Sequence, residues 1–302
     1  MLAGNMEQAN VFRLEEKRYK CRADTIPDMS EVLDPNDPQS FGFEALVEIK
    51  PRVFSFQKAP GLLILKNYVS SELQMQLLKS IMFTQIQDPE NKTNLSPFYQ
   101  LPLGNDSIWR RYYNGDGESI IDGLGETKPL TVDRLVHKKL RWVTLGEQYD
   151  WTTKEYPDPS KSPGFPKDLG DFVEKVVKES TDFLHWKAEA AIVNFYSPGD
   201  TLSAHIDESE EDLTLPLISL SMGLDCIYLI GTESRSEKPS ALRLHSGDVV
   251  IMTGTSRKAF HAVPKIIPNS TPNYLLTGNK AWDGWISRKR VNFNVRQVRP
   301  SR

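Results

Sequence analysis

Cysteine is nearly missing: Cys21 and Cys226 are the only two in 302 residues. Two are too few for a disulfide framework or a thiolate zinc cage, and they fit a reducing compartment. No apolar run approaches the roughly 18–20 residues of a membrane-spanning helix, and no apolar leader stretch marks a secretory signal. An excess of positive charge is missing too. The formal net charge is -3, so binding to nucleic acid would need a local basic patch rather than bulk charge. The early Glu7, Glu15 and Glu16 run against a mitochondrial transit peptide. A soluble monomer of the cytoplasm or nucleus is the expectation, with the mitochondrion left open. The 39% hydrophobic and 25% charged content suits a globular chain with a sizeable core.

What is present falls into three stretches. Residues 1–57, with Pro27-Asp28 and Asp34-Pro35-Asn36-Asp37-Pro38, are expected to form an extended, poorly packed arm. Residues 58–187 are expected to form a mixed α/β front. Leu62 to Leu65 suit a buried strand, and Ser70 or Ser71 caps a helix with Leu73, Leu77 and Ile81 on one stripe. A second amphipathic helix carries Leu169, Phe172, Val173, Val176 and Val177. Between them lie an aromatic and basic knot, Trp109-Arg110-Arg111-Tyr112-Tyr113, and a run with Lys128, Arg134, Lys138, Lys139 and Arg141. Residues 188–302 change character. Strand candidates follow in series at 188–196, 217–222, 226–231, 241–245, 248–252, 259–264 and 290–298, separated by turns such as Ser197-Pro198-Gly199-Asp200. Many short strands with such turns predict a sandwich or jelly roll.

Chemistry concentrates in this last stretch. His205 and Asp207 stand two positions apart; on a strand both side chains would leave one face about 7 Å apart. Imidazole plus carboxylate is two thirds of the 2-His-1-carboxylate set that suits non-haem Fe(II). His245 and His261 compete for the third place. His245 precedes a Ser-Gly-Asp turn that it could simply cap, and His261, late in the strand series, is favoured. Residues 290–296 alternate with period two: Arg290, Asn292, Asn294 and Arg296 on one face, Val291, Phe293 and Val295 on the other. Two guanidinium groups on one face with no interleaved acid need an anion if that face is buried. Arginine holds carboxylates in bidentate fashion. A metal triad beside such a strand suggests a small dicarboxylate that chelates the metal.

These motifs resemble the AlkB family of Fe(II)- and 2-oxoglutarate-dependent dioxygenases, and most nearly its AlkB homologue one branch. The matching text is N-x-Y-x-P-G (Asn194, Tyr196, Pro198, Gly199), H-x-D (His205, Asp207), H-S-G-D from His245 to Asp248, F-H-A-V-P around His261, and R-V-N-x-x-V-R-Q-V from Arg290 to Val298. His261 follows His205 by 56 positions, as in that family's jelly roll. R-W-V-T-L-G at 141–146, P-G-L-L-I-L near residue 60 and E-S-E after H-x-D look like the same branch. The resemblance covers roughly residues 58–300 and is thin across 84–130.

The resemblance implies a mainly β (α+β) fold, a double-stranded β-helix core whose α/β extension forms a nucleotide-recognition lid. It implies His205, Asp207 and His261 as iron ligands, with 2-oxoglutarate and O2 completing the site. Arg290 would clamp the distal carboxylate of 2-oxoglutarate, Arg296 would lie near its metal-side end, and Asn194, Tyr196 and Asn292 would complete that pocket. Tyr149 and Trp151 fall where the family places its lid. The family's repair members carry a second acid two positions after the H-x-D aspartate; here that position is Ser209. The acids around it, at 208–212, are expected to be a solvated loop, and Trp282 and Trp285 to sit on an insertion that could cover the pocket. The implied activity is oxidation or demethylation of methylated bases in tRNA or DNA. Three rivals remain: a lyase that nicks abasic DNA through a Lys138 or Lys139 Schiff base, a zinc hydrolase, and a non-catalytic jelly-roll binding protein. The zinc reading leaves the two-arginine face unexplained.

Overall fold

The computed structural model describes residues 10–37, 46–150, 153, 155–158, 160 and 162–300. In chain order the elements are α1 (Val11–Tyr19), β1 (Val32–Leu33), β2 (Leu46–Lys50), β3 (Val53–Phe56), β4 (Leu62–Leu65), α2 (Ser71–Phe83), α3 (Ile108–Tyr113), β5 (Ile120–Ile121), β6 (Leu130–Thr131), α4 (Val132–Arg134) and β7 (Trp142–Gly146). They continue as α5 (Lys167–Ser180), β8 (Ala190–Tyr196), β9 (Leu202–His205), β10 (Leu217–Gly223), β11 (Cys226–Ile230), β12 (Ser240–Leu244), β13 (Val249–Met252), β14 (His261–Ile266), α6 (Lys280–Ile286) and β15 (Arg290–Arg296). An eight-stranded sheet runs β2-β3-β4-β13-β10-β15-β8-β7 and faces a five-stranded sheet, β1-β12-β11-β14-β9. The expected strands of 188–302 are all present within a residue or two of their predicted bounds, as are the two amphipathic helices.

Period two decides which face of the major sheet does what. Val291, Phe293 and Val295 of β15 are buried outward in one cluster with Leu77, Leu78 and Ile81 of α2 and Leu169, Val173 and Val176 of α5. The helices are cut by local chemistry: the Ser70 side chain accepts from the Leu73 N–H to start α2. The opposite face of β15 turns Arg290 and Asn292 toward the inside of the roll. There an intersheet cluster joins Leu62, Ile64, Val250 and Met252 to Tyr228, Leu244 and Val263. Gly223, opposite Arg290 in the β10–β15 pairing, has φ +82°, and a Cβ there would sit 2.2 Å from the Lys289 carbonyl oxygen. Only glycine closes that turn beside Arg290.

Two expectations change. The described part of 1–57 is not an extended arm. α1 covers the outer face of the minor sheet with Phe12 and Tyr19 buried to 0% and 1% exposure, and β2 and β3 extend the major sheet. Each such buried ring contributes on the order of 2–3 kcal/mol, which outweighs the loop-like composition around it. The aromatic knot at 109–113 forms α3 and is core: Trp109 packs edge-on against Trp282 and Trp285. Trp282 and Trp285 therefore cover the outside of the major sheet, not the pocket.

Candidate metal centre

β9 ends on His205 and β14 begins on His261, and the two residues are direct partners in the pairing of these strands. Their ring centroids are 4.3 Å apart. Asp207 does not share the strand with His205, as the H-x-D spacing predicted. It lies two residues past the end of β9 and folds back, so that its Oδ2 is 3.3 Å from His261 Nε2. One ligand atom from each of the three side chains lies within 4.8 Å of the others, and this is the only such group of three or more among the described residues. His245 is elsewhere, between Asp34 and Asp225 at 2.9 Å from each.

The set fits a cation on chemical grounds. His205 Nδ1 lies 3.0 Å from the Ser203 carbonyl and His261 Nδ1 lies 3.2 Å from that of Ala259. A carbonyl only accepts, so each Nδ1 carries the proton and each Nε2 presents a lone pair. His261 Nε2 then faces Asp207 Oδ2, a buried oxygen with no hydrogen-bond partner. Two lone pairs at that separation repel unless a cation lies between them. Burial pushes the His205 imidazole down, helped by its neighbour His261, which favours the neutral, ligating form. For Asp207 burial acts to raise the carboxyl, and the Arg296 charge works against it and holds it below the usual range. Two nitrogens and one oxygen make the donor set expected of an open Fe(II) site.

The arginines of β15 differ in their company. Arg296 has acids for company, although its Nε is buried without a partner: Nη1 donates to Ser209 Oγ at 2.8 Å and pairs with Glu210 Oε1 at 3.1 Å, while Nη2 lies 3.7 Å from Asp207 Oδ1. Glu210 is not part of a solvated loop. It is buried and pairs on its other oxygen with Arg257 at 2.8 Å. Arg257 in turn donates to the Asp207 carbonyl at 2.5 Å. Two cations and two anions thus hold one another around the metal-ligand loop. Arg290 has no acid within 4.0 Å among the described residues, although it is 2% exposed. Its Nη2 donates to Ser221 Oγ at 2.9 Å and Asn292 Oδ1 at 2.7 Å; its Nε is buried without a partner. A narrow cavity runs from Asp207 and His261 to Arg290, walled by Tyr196, Asn292 and Asn294. Asn194 stands directly opposite Asn292 in the strand pairing.

Above Ser209, Tyr156 brings its Oη to 3.5 Å from Ser209 Oγ and its ring to 5.2 Å from that of Tyr149. Trp151 lies outside the described residues. Lys138 and Lys139 are at the other end of the roll. Lys289, beside Arg290, donates to the His137 carbonyl and to Ser197 Oγ, whereas the triad abuts Arg296 at the other end of β15. Sequence reasoning missed Arg257, Glu210 and Tyr156. Each lies in polar loop text, and only the burial found in three dimensions separates them from surface residues.

The sequence profile of the 2OG-Fe(II) oxygenase superfamily matches residues 110–296. The chain is 35% identical over 294 residues to the N6-methyladenosine RNA demethylase ALKB1 of Pyricularia oryzae, covering 85% of this chain and 80% of that one. It is 30% identical over an alignment of 335 residues to the DNA N(6)-methyladenine demethylase ALKBH1A of Arabidopsis thaliana, covering 95% of each. It is 45% identical over 136 residues to the nucleic acid dioxygenase ALKBH1 of Homo sapiens, 45% of this chain and 34% of that one. The solved structure of OsALKBH1 superposes with a TM-score of 0.53 at 21% identity, covering 83% of this chain and 99% of that one, a likeness of fold. With a jelly roll, a His-Asp-His cluster and these relatives in hand, the chain belongs to the 2OG-Fe(II) oxygenase superfamily, in the ALKBH1 branch of its AlkB family.

Proposed function

We propose that this protein removes methyl groups from adenine bases of nucleic acid by oxidation, with Fe(II) held by His205, Asp207 and His261 and 2-oxoglutarate lying between that metal and Arg290. The carrying observation is the buried Arg290 guanidinium, without an acid partner among the described residues, at the far end of the cavity that begins at Asp207 and His261. A buried cation of that kind requires an anion. A dicarboxylate whose distal carboxylate accepts from the guanidinium, beginning with its unpartnered Nε, supplies one. The choice of methylated adenine rests on the names of the ALKB1 and ALKBH1A relatives; unpaired RNA such as a tRNA loop, or single-stranded DNA, is favoured because no base then has to leave a duplex.

When bound, Fe(II) with 2-oxoglutarate and O2 supplies the oxidising power that converts a methyl C–H to C–OH, releasing succinate and CO2. Everything else falls to the chain. Arg290 and Asn292 fix one end of the cosubstrate; Tyr196, whose ring lies 5.6 Å from the Arg290 guanidinium carbon, walls the same cavity. Arg296 and Arg257 hold the 207–210 loop, so Asp207 keeps its orientation. Tyr149 and Tyr156 form the aromatic wall against which we place the base, part of a lid that limits water at the site. After hydroxylation on an N-methyl group, the carbon–nitrogen bond of the product breaks to give formaldehyde and the free amine. We place the active unit as a monomer.

The test uses the pure chain with Fe(II), 2-oxoglutarate and oligonucleotides carrying N6-methyladenine, beside an abasic duplex. Expected are succinate and demethylated adenine, both lost with EDTA and in Asp207→Ala. Absence of succinate under all conditions would sink the oxygenase reading. Strand cleavage that survives both treatments would move the activity to a lyase.

A further inference from the structure

We infer that α1 is a working part of the metal centre: Glu16 and Arg235 are positioning residues that hold β9, and with it His205, in the geometry that takes the metal. β9 is the outermost strand of the minor sheet, so one edge of its backbone has no strand neighbour. Its pairing with β14 is irregular between His261 and Val263, next to the ligands themselves. Yet both backbone polar groups of Ala204, the residue before His205, are taken. The Ala204 N–H donates to Glu16 Oε1 at 2.8 Å, and Arg235 Nη2 donates to the Ala204 carbonyl at 3.0 Å. Two side chains do for this edge what another strand would otherwise do.

Glu16 is poor material for a mere cover. It is 2% exposed, and among the described residues no lysine or arginine lies within 4.0 Å of its carboxylate. An apolar side chain would cover the sheet without the cost of burying a charge. What an apolar side chain cannot do is accept the Ala204 N–H. Arg235 ties the second ligand into the same unit. Its guanidinium carbon lies 4.4 Å from the ring centroid of Phe260, which immediately precedes His261. Its carbonyl accepts the Phe12 N–H at 3.0 Å, at the start of α1. The helix, the turn after β11 and both histidines are therefore one mechanical unit. Without it, β9 frays in the metal-free protein, and the apparent affinity falls by the fraction of molecules that keep His205 in place.

This inference rests on the reading of His205, Asp207 and His261 as metal ligands, and the experiment separates the two. The full-length wild type, Glu16→Ala, Glu16→Gln, Arg235→Ala and Asp207→Ala proteins are titrated with Co(II), following its ligand-field absorption. Amide hydrogen exchange across 202–205 is measured in the metal-free proteins. Glu16→Ala is expected to bind Co(II) about tenfold more weakly and to exchange faster across 202–205. Glu16→Gln, whose amide oxygen accepts the same bond, is expected to restore both. Arg235→Ala is expected to shift both readouts the same way, and because Arg235 is exposed it decides the matter if Glu16→Ala does not fold. Wild-type affinity and exchange in Glu16→Ala, or in Arg235→Ala where it decides, overturn the role of α1 provided Asp207→Ala loses Co(II). So does failure of Glu16→Gln to restore them. Undiminished Co(II) binding by Asp207→Ala would overturn the metal reading itself, and the inference with it.

Discussion

The Glu210 carboxylate and the Arg296 guanidinium pair at 3.1 Å with both side chains buried. Arg257 approaches the other Glu210 oxygen at 2.8 Å. Removing one partner of such a network leaves uncompensated charge in a low-dielectric interior, which costs far more than the intact network contributes. Glu210→Ala strands two guanidinium groups and should lower unfolding stability by about 3–5 kcal/mol. Urea denaturation of the metal-free proteins measures it. A change below about 1 kcal/mol would mean that the network is hydrated and not the closed cluster described here.

Much of this was legible in the chain. Period two in 290–296 predicted both faces of β15 correctly, because a strand buried on one side by α2 and α5 and on the other by the roll leaves no freedom of register. The strands of the jelly roll were legible for the same reason. The arm was not. Its turn-forming residues cluster between short packed pieces, and composition averages them together; Phe12 and Tyr19 act as core residues only because the outer face of the minor sheet needs a cover. Glu210 was illegible because acids in a row after a metal motif look alike until an arginine 47 positions away is placed beside one of them. The Asp207 orientation was missed because it departs from the strand on which the spacing argument was built.

Arg290 should govern cosubstrate affinity. Its guanidinium offers a planar fork to a carboxylate, and losing two charge-assisted hydrogen bonds corresponds to roughly 100-fold weaker binding or more. Arg290→Ala is expected to show that loss for 2-oxoglutarate in calorimetry with Mn(II) in place of iron, under conditions where no turnover occurs. Arg290→Lys keeps the charge but not the fork and should fall between. Unchanged affinity in Arg290→Ala would place the distal carboxylate elsewhere.

His245 gives the stability a pH dependence. Burial on its own would push this imidazole down; hydrogen bonds to Asp225 and Asp34, and their charges, outweigh it and raise it to about 9. Arg243 shares both acids and faces the same cluster. The folded value lies above the unfolded value near 6.5, so the contribution is fully present below about pH 6.5 and is lost as pH rises through 9. Its ceiling is roughly 3 kcal/mol. The stability difference between wild type and His245→Gln, from urea curves, should therefore shrink by about that amount between pH 6 and pH 10. A difference that stays constant would show that the imidazole is not charged in the fold.

Lys138 and Lys139 are exposed and lie at the Arg290 end of the roll, away from the triad. The double substitution Lys138→Ala, Lys139→Ala should leave succinate formation within about twofold of wild type, as for surface changes remote from a site. Counting succinate against free protein concentration checks it. A tenfold loss would mean that the substrate reaches the site across that end.

Tyr156 should govern coupling. The segment that carries it is pinned to the end of β15: Arg299 pairs with Glu147 and donates to the Pro157 carbonyl. The tyrosine therefore stands over Ser209 on a fixed support, and burial pushes its phenol up, keeping it neutral. Its Oη is 3.5 Å from Ser209 Oγ, at the limit of a hydrogen bond, while its ring meets Tyr149 edge-on at 5.2 Å. The ring, not the hydroxyl, is the working part. Tyr156→Phe should behave like wild type. Tyr156→Ala should raise KM for the methylated oligonucleotide several-fold and release more succinate per demethylated base, because water enters and the base is held less well. Mn(II) and 2-oxoglutarate affinities should change little, since neither the triad nor Arg290 touches this ring. Wild-type KM and wild-type coupling in Tyr156→Ala would remove this tyrosine from the lid.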